Sequence, residues 1–159
     1  MQKKLILMFA AGLALTAAAP SPQSAAATHR IIRAGEIAWG PAPATLPPGA
    51  QTALLYGNPA GDGLFAMRLK VPKGYRLPLH THPGPEIVTV LAGKVRLVVG
   101  SMADAPSAPA LTAGSFYSTE PGTPHTLLVD EESVIQVNGR GPWGIDFVDP
   151  AEDPARRSR

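Results

Sequence analysis

From Gly63 onward, the chain is a series of short apolar or β-branched runs separated by Gly and Pro. Runs of this kind, bounded by turn residues, are typical of β-strands, and none is long enough for an ordinary helix. Eight candidate strands follow from the pattern, at residues 64–71, 77–82, 86–91, 95–99, 114–118, 125–129, 134–138 and 145–148. We therefore predict an all-β sandwich or barrel. Residues 92–94, Ala-Gly-Lys, read as a hairpin turn between two alternating segments.

The chain begins with a segment typical of a secretory signal peptide. Lys3 and Lys4 precede a short apolar run, and a small-residue tract ends at Ala27. The apolar run is shorter than the roughly 20 residues that a membrane span needs, which disfavours the alternative of a membrane anchor. There is no paired arginine before it, so we expect the general export route and a periplasmic or secreted mature protein.

Four segments are predicted along the chain. Residues 1–27 are the signal peptide, and residues 28–62 are a Pro- and Ala-rich arm with one short strand around residues 30–33. Residues 63–149 are the β-barrel, and residues 150–159 are a polar tail.

Removing the signal peptide changes the charge of the protein. Of the 14 Lys and Arg residues two are removed, which leaves twelve against twelve Asp and Glu, and the formal net charge becomes zero. There is no basic stripe, so nothing indicates a nucleic-acid partner. The chain has no cysteine, so an exported fold must be held by its core, a bound metal or association.

Three of the four histidines, together with one carboxylate, lie at the strand positions of a single constellation. Alternation along a strand places His80 and His82 on the same face, and Glu86 begins the strand that follows the Pro83–Pro85 turn. An antiparallel return would bring this carboxylate against the two imidazoles, and His125 begins a later inward face. Burying these groups in an apolar interior is costly unless a divalent cation compensates them. Imidazole and carboxylate ligands suit Fe, Mn, Co, Ni, Cu or Zn.

At these positions the chain resembles the cupin superfamily. The first cupin motif is matched by the pattern Gly74-x5-His80-x-His82-x3-Glu86-x6-Gly93, and the second by Gly114 followed by Pro121-Gly122-x2-His125. The resemblance implies a single jelly-roll barrel (a double-stranded β-helix) with one divalent metal ion held by His80, His82, Glu86 and His125. The second motif departs from the family pattern at Glu120, where a proline is usual, and at Val129, where asparagine is frequent.

The metal site is expected to have an apolar surround. Val88 and Val90 share a strand face with Glu86, and Leu127 shares one with His125. These three residues, together with Gln136, are the predicted pocket. Periodicity leaves open whether Arg96, Gln136 and Asn138 point into the barrel.

Two functions remain open at this point. Four protein ligands on a six-coordinate ion would leave two positions for O2 or a chelating small molecule, which favours a metal-dependent dioxygenase or other oxidoreductase. A periplasmic module that binds or senses a metal or small ligand without turnover fits the same residues. No catalytic residue beyond the metal ligands is identified, because a family resemblance supplies a site and not a reaction.

A homodimer is the expected assembly, with a small molecule as the other partner. An open jelly roll leaves edge strands, and the Pro-rich arm is suited to lying along a neighbour.

The signal peptide gives a prediction about the exported form. Mass spectrometry of the exported protein should show a chain that starts at Thr28, because the cleavage pattern ends at Ala27. An intact Met1, or recovery in membranes only, would contradict export by this route.

Overall fold

A computed structural model describes residues 29–157, so the predicted signal peptide lies outside the described residues. Within this range no helix is long and apolar enough to cross a bilayer. The strands are β1 (Gly40–Pro41), β2 (Gln51–Tyr56), β3 (Gly63–Val71), β4 (Arg76–Thr81), β5 (Glu86–Val99), β6 (Ala110–Thr112), β7 (Phe116–Thr119), β8 (His125–Gly141) and β9 (Asp146–Phe147). The helical elements are three 3₁₀ turns, Ala34–Glu36, Met102–Asp104 and Pro150–Glu152, and the short helix α1 (Pro154–Arg157). The all-β prediction is confirmed.

Strand β8 is the centre of the sheet. One edge pairs first with β4, from Arg76↔Leu128 to His80↔His125, and then with β3. The other edge pairs with β5 along almost its whole length, from Glu86↔Gly139 to Val99↔His125. β2 and β1 extend the sheet beyond β3, β6 and β7 pair with β5, and β9 pairs with β4. All of these pairs are antiparallel.

The predicted hairpin at residues 92–94 is wrong. Residues 86–99 form one strand of 14 residues, and its neighbour β8 likewise joins the two predicted strands 125–129 and 134–138. The turn residues instead mark a bulge, where the register of β5 against β8 shifts between Val90 and Val95. A bulge bends a strand without ending it, so both halves of β5 keep the same partner.

Ser133 holds this bulge together. Its Oγ accepts a hydrogen bond from the Lys94 backbone N at 3.0 Å and donates to the Glu131 carbonyl at 2.7 Å. The side chain is fully buried. Its two hydrogen bonds take the place of ladder hydrogen bonds that the register shift removes. Two long bent strands can therefore wrap around one core.

The core lies on the inner faces of β3, β5 and β8. Alternate residues of β3 are buried in order along the strand, as a half-buried sheet requires. Leu46 and Ala50, from the Pro-rich segment, also belong to the core cluster. The complete cluster is Leu46, Ala50, Phe65, Met67, Leu69, Val71, Tyr75, Leu77, Val88, Val90, Val95, Leu127, Val129, Ile135 and Val137.

The segment predicted as an arm carries two strands of its own. No strand forms around residues 30–33, where the expectation was wrong, and β2 pairs with β3 from Gln51↔Lys70 to Tyr56↔Ala66. The Tyr75 hydroxyl donates to the Pro47 carbonyl at 3.2 Å, and Lys70 lies 4.7 Å from the centre of the Trp39 ring. These contacts place residues 39–50 against the barrel strands.

Gly93 at the bulge gives a prediction about stability. Its φ is +79°, and a Cβ there would meet the Glu132 carbonyl oxygen and the Ser133 side chain. We expect Gly93→Ala to lower the free energy of unfolding by about 2 kcal/mol or more, measured by urea denaturation. Gly100 has a φ of +80° with open space around it, so Gly100→Ala is the control that carries the backbone strain without the clash. Equal losses in the two variants would show that the close contact contributes nothing.

Candidate metal centre

Three strand ends bring the predicted site residues together. His80 lies near the end of β4, His82 follows it, and His125 and Glu86 are the first residues of β8 and β5. His80 and His125 are direct cross-strand partners. All four side chains are buried, with His80 and His125 each only 1% exposed. The structure therefore places His80, His82, Glu86 and His125 in one cluster.

The imidazole rings of the cluster are close neighbours. Ring centroids are 4.2 Å apart for His80 and His125, 4.8 Å for His80 and His82, and 5.2 Å for His82 and His125. One nitrogen from each ring lies within 4.8 Å of the others, so the three can ligate a single ion. The Glu86 carboxylate lies 3.4 Å from His82 Nε2 and 3.9 Å from His125 Nε2.

Backbone carbonyls orient all three rings. The Nδ1 atoms of His80, His82 and His125 lie 2.6, 2.6 and 2.9 Å from the carbonyl oxygens of Pro78, Gly144 and Thr123, respectively. A carbonyl oxygen can only accept, so each Nδ1 carries a hydrogen and donates. The Nε2 lone pairs remain available, which is the arrangement in which histidine binds metal.

The protonation preferences of the rings differ. Burial, and then the charge of His125, lowers the pKa of His80 to about 3. Burial also lowers the pKa of His125. At His82 burial acts in the same direction, but the hydrogen bond and charge of Glu86 outweigh it and raise the pKa. Neutral His80 and His125 match the form that ligates a metal, and Glu86 stabilises positive charge beside His82.

A tryptophan adjoins the cluster. The Trp143 ring stacks on the His82 ring, with centroids 4.9 Å apart and planes at 20°, and it meets Phe65 edge-on at 5.8 Å. Trp143 is not among the site residues predicted from the sequence. It lies outside the strands, so no alternation pattern could place it against His82.

A small cavity lies beside the cluster. Its volume is about 20 Å³, and it is lined by Leu46, Leu69, Leu77, His80, Glu86, Tyr117, His125, Leu127, Ile135, Val137 and Trp143. Such a space holds roughly one water molecule. Tyr117 adds a phenol to this lining, and burial followed by the charge of Glu86 raises its pKa well above the ordinary value.

The four predicted pocket residues fall in different places. Leu127 lines the cavity, while Val88 and Val90 are fully buried in the core beyond it. The prediction for Gln136 requires a correction, because this residue does not line the cavity. Its side-chain Oε1 accepts a hydrogen bond from Arg68 Nε at 3.1 Å. Residues 135 and 137 are buried on the inner face, so strand alternation turns Gln136 outward.

Two other polar residues whose direction the sequence left open also lie away from the cavity. Arg96 makes three hydrogen bonds to the Asp130 carboxylate, the shortest at 2.8 Å, and another to the Ala105 carbonyl. Asn138 accepts from Gln136. Glu120, the departure in the second motif, is exposed to solvent.

Two buried polar atoms near the cluster have no hydrogen-bond partner among the described residues. They are Trp143 Nε1 and Thr119 Oγ1, and Thr119 is the cross-strand partner of Glu86. A third such atom, Thr126 Oγ1, lies on a residue next to His125 that is fully buried. Buried polar atoms are normally paired, so these mark places where a water or ligand atom would be stabilising.

Comparison with known proteins finds a family match and similar folds. A family model described as a cupin domain matches residues 67–137. A search of curated proteins found no match.

Several solved structures are similar to this chain. The polyketide cyclase RemF from Streptomyces resistomycificus is 16% identical, with a TM-score of 0.65, over 82% of this chain and 93% of that one. An acetylacetone dioxygenase from Acinetobacter johnsonii is 18% identical, with a TM-score of 0.60, over 87% and 93%. The DMSP lyase DddQ from Ruegeria pomeroyi DSS-3 is 22% identical, with a TM-score of 0.57, over 72% and 62%. At these identities the likeness shows a jelly-roll fold and does not transfer an activity.

Proposed function

We propose that this chain is a cupin whose buried histidine cluster binds one divalent metal ion in an exported enzyme; the match of residues 67–137 to a cupin-domain family model supports the family. The observation that carries the proposal is the shared orientation of the three rings. Each Nδ1 donates to a backbone carbonyl, and one nitrogen of each ring is within 4.8 Å of the others. Structural support of this kind is typical of metal-ligating histidines.

Glu86 completes the proposed ligand set. Its two oxygens face His82 Nε2 and His125 Nε2 at 3.4 and 3.9 Å, so a cation among the rings would meet the carboxylate. Its negative charge would offset half the charge of a divalent ion in a buried, apolar setting. The donor set of imidazole and carboxylate does not identify the metal, and Fe, Mn, Zn, Ni, Co and Cu all remain candidates.

We propose a metal-dependent dioxygenase or other oxidoreductase acting on a small molecule. When bound, the metal would supply Lewis-acid or redox chemistry to that molecule. The chain contributes an apolar wall that excludes water. It also contributes the phenol of Tyr117, whose raised pKa keeps the proton on its oxygen. The phenol can therefore donate a hydrogen bond beside the cavity, and a hydrogen-bond donor there is the feature that favours an enzyme.

A binding module without turnover is the second candidate. It is favoured by the small cavity of about 20 Å³ and by its mainly aliphatic lining. The metal found in protein purified from its native host would help to distinguish the enzyme from the binding module. Iron or copper would support redox catalysis, whereas zinc or manganese would support a non-redox role.

Export and assembly complete the proposal. We place the mature protein in the periplasm or outside the cell, because of the predicted signal peptide. We propose a homodimer with no nucleic-acid partner and no membrane insertion after processing. Exposed apolar side chains support association, and Tyr56, Leu64 and Phe116 are 60%, 64% and 59% exposed.

Metal binding predicts a stability change on chelation. A free metal concentration of 100 times Kd stabilises the fold by about 2.7 kcal/mol. Removal of the metal by EDTA should therefore lower Tm by about 10 °C in a domain of this size. His82→Ala and His125→Ala should abolish this sensitivity. His29→Ala is the matched control, because His29 is exposed and lies outside the cluster. Differential scanning calorimetry gives Tm, and elemental analysis should show one divalent ion per chain. An unchanged melting curve in protein shown to contain metal would contradict the stabilising role.

Access to the metal predicts a spectroscopic response. The cavity adjoins His80, Glu86 and His125, so a small chelator whose donor oxygen reaches into it would contact the ion. Pyruvate or catechol should therefore change the absorption spectrum of the Co(II) or Cu(II) form. His80→Ala should remove the response, whereas Asp104→Ala, in an exposed turn, should retain it. A fully loaded sample with an unaltered spectrum would place any ligand away from the metal.

A further inference from the structure

The indole nitrogen of Trp143 lacks a hydrogen-bond acceptor. Nε1 is buried and has no partner among residues 29–157. An indole N–H can donate but cannot accept, so only an acceptor atom can satisfy it. Buried Trp N–H groups normally find such an acceptor, so this donor, on a ring that stacks on His82, can bind an acceptor atom from outside the protein.

The position of Trp143 is fixed from two sides. Its backbone N donates to the Pro59 carbonyl at 2.7 Å, and the carbonyl of the next residue, Gly144, accepts from His82 Nδ1 at 2.6 Å. The ring itself stacks on His82 with centroids 4.9 Å apart. The indole is therefore held against a metal-ligand candidate and cannot turn away without breaking these contacts.

No group that lines the cavity, the Tyr117 hydroxyl included, accepts a hydrogen bond from the indole. Six of its lining residues are aliphatic, namely Leu46, Leu69, Leu77, Leu127, Ile135 and Val137. Of the remaining polar groups, His80, Glu86 and His125 belong to the proposed ligand set. An acceptor for Trp143 would then come from a molecule that enters the cavity.

Charge indicates what kind of molecule this is. A divalent ion with one carboxylate, Glu86, leaves a net positive charge in a buried site. An anionic oxygen would balance this charge and accept from the indole. The cavity of about 20 Å³ holds roughly one water molecule, so only the oxygen-bearing end of the molecule would enter it.

We propose that Trp143 is a specificity-determining residue, whose Nε1–H donates to an oxygen of a small carboxylate or similar oxyanion bound at the metal. This inference rests on the proposed metal site. Formate is a suitable probe, because it is the smallest carboxylate.

The test compares two Trp→Phe variants of the Co(II)-loaded protein. Trp143→Phe retains an aromatic ring against His82 and removes the N–H. Trp39→Phe makes the same change at the other tryptophan, whose ring faces Lys70. Spectral titration with formate should give a Kd about tenfold higher or more for Trp143→Phe, since a hydrogen bond to a charged group is lost. Trp39→Phe should match the parent, and Co(II) affinity should stay within about twofold in both variants.

The outcomes separate the inference from the proposed function. If the parent binds no Co(II), the metal site fails and the inference fails with it. If all three proteins bind Co(II) and formate equally well, the metal site stands and the inference is overturned. That result would leave a buried water as the partner of the indole. Loss of Co(II) from Trp143→Phe alone would assign Trp143 a supporting role for His82 and also overturn it.

A second variant covers the case in which Trp143→Phe fails to fold. The chain has two tryptophans, so a Trp39→Phe background leaves Trp143 as the only one. Incorporation of 3-benzothienylalanine at that position replaces the N–H by sulfur in a ring of nearly the same shape. Formate affinity about tenfold weaker than with tryptophan supports the proposal, and unchanged affinity refutes it.

Discussion

The pairing of β8 on both of its edges is the constraint on which the rest of the structure depends. Its first residue, His125, lies opposite His80 on one edge and Val99 on the other. Near its far end, Gly139 lies opposite Glu86. One strand therefore touches every strand that carries a candidate ligand. It can do so only because the bulges in β5 allow two long strands to bend together around the core.

Burying three imidazoles and a carboxylate imposes the next constraint. Such groups are costly in an apolar interior unless their hydrogen bonds and charges are satisfied. Backbone carbonyls satisfy Nδ1 of all three rings, and Glu86 raises the pKa of His82 against the effect of burial. What remains are Nε2 lone pairs and a carboxylate in one buried space. A cation is the partner that satisfies both, so the cluster has the chemistry of a metal site.

The fold leaves the reaction undecided. Structures that share it include a polyketide cyclase, a dioxygenase and a lyase, so one fold supports several chemistries. Differences in activity would then come from the groups that surround the metal. In this chain the groups beside the proposed metal site include two hydrogen-bond donors, the phenol of Tyr117 and the indole of Trp143, which line the cavity together with aliphatic side chains and the histidine cluster. The choice of substrate depends on such donors, because an oxygen left without its partner costs more than a lost apolar contact.

The sequence by itself determined the all-β class and the members of the histidine cluster. Strand alternation is local, so it placed His80 and His82 on one face, and the resemblance to the two cupin motifs joined Glu86 and His125 to them. Other features depend on contacts between distant residues. Gly93 predicts a turn when read locally, and only pairing with β8 makes it a bulge. The stacking of Trp143 on His82 and the hydrogen bond from His82 to Gly144 join residues about 60 positions apart, through a segment without strand periodicity. Tertiary structure alone decided these contacts, because no local pattern encodes which distant residue will be the neighbour.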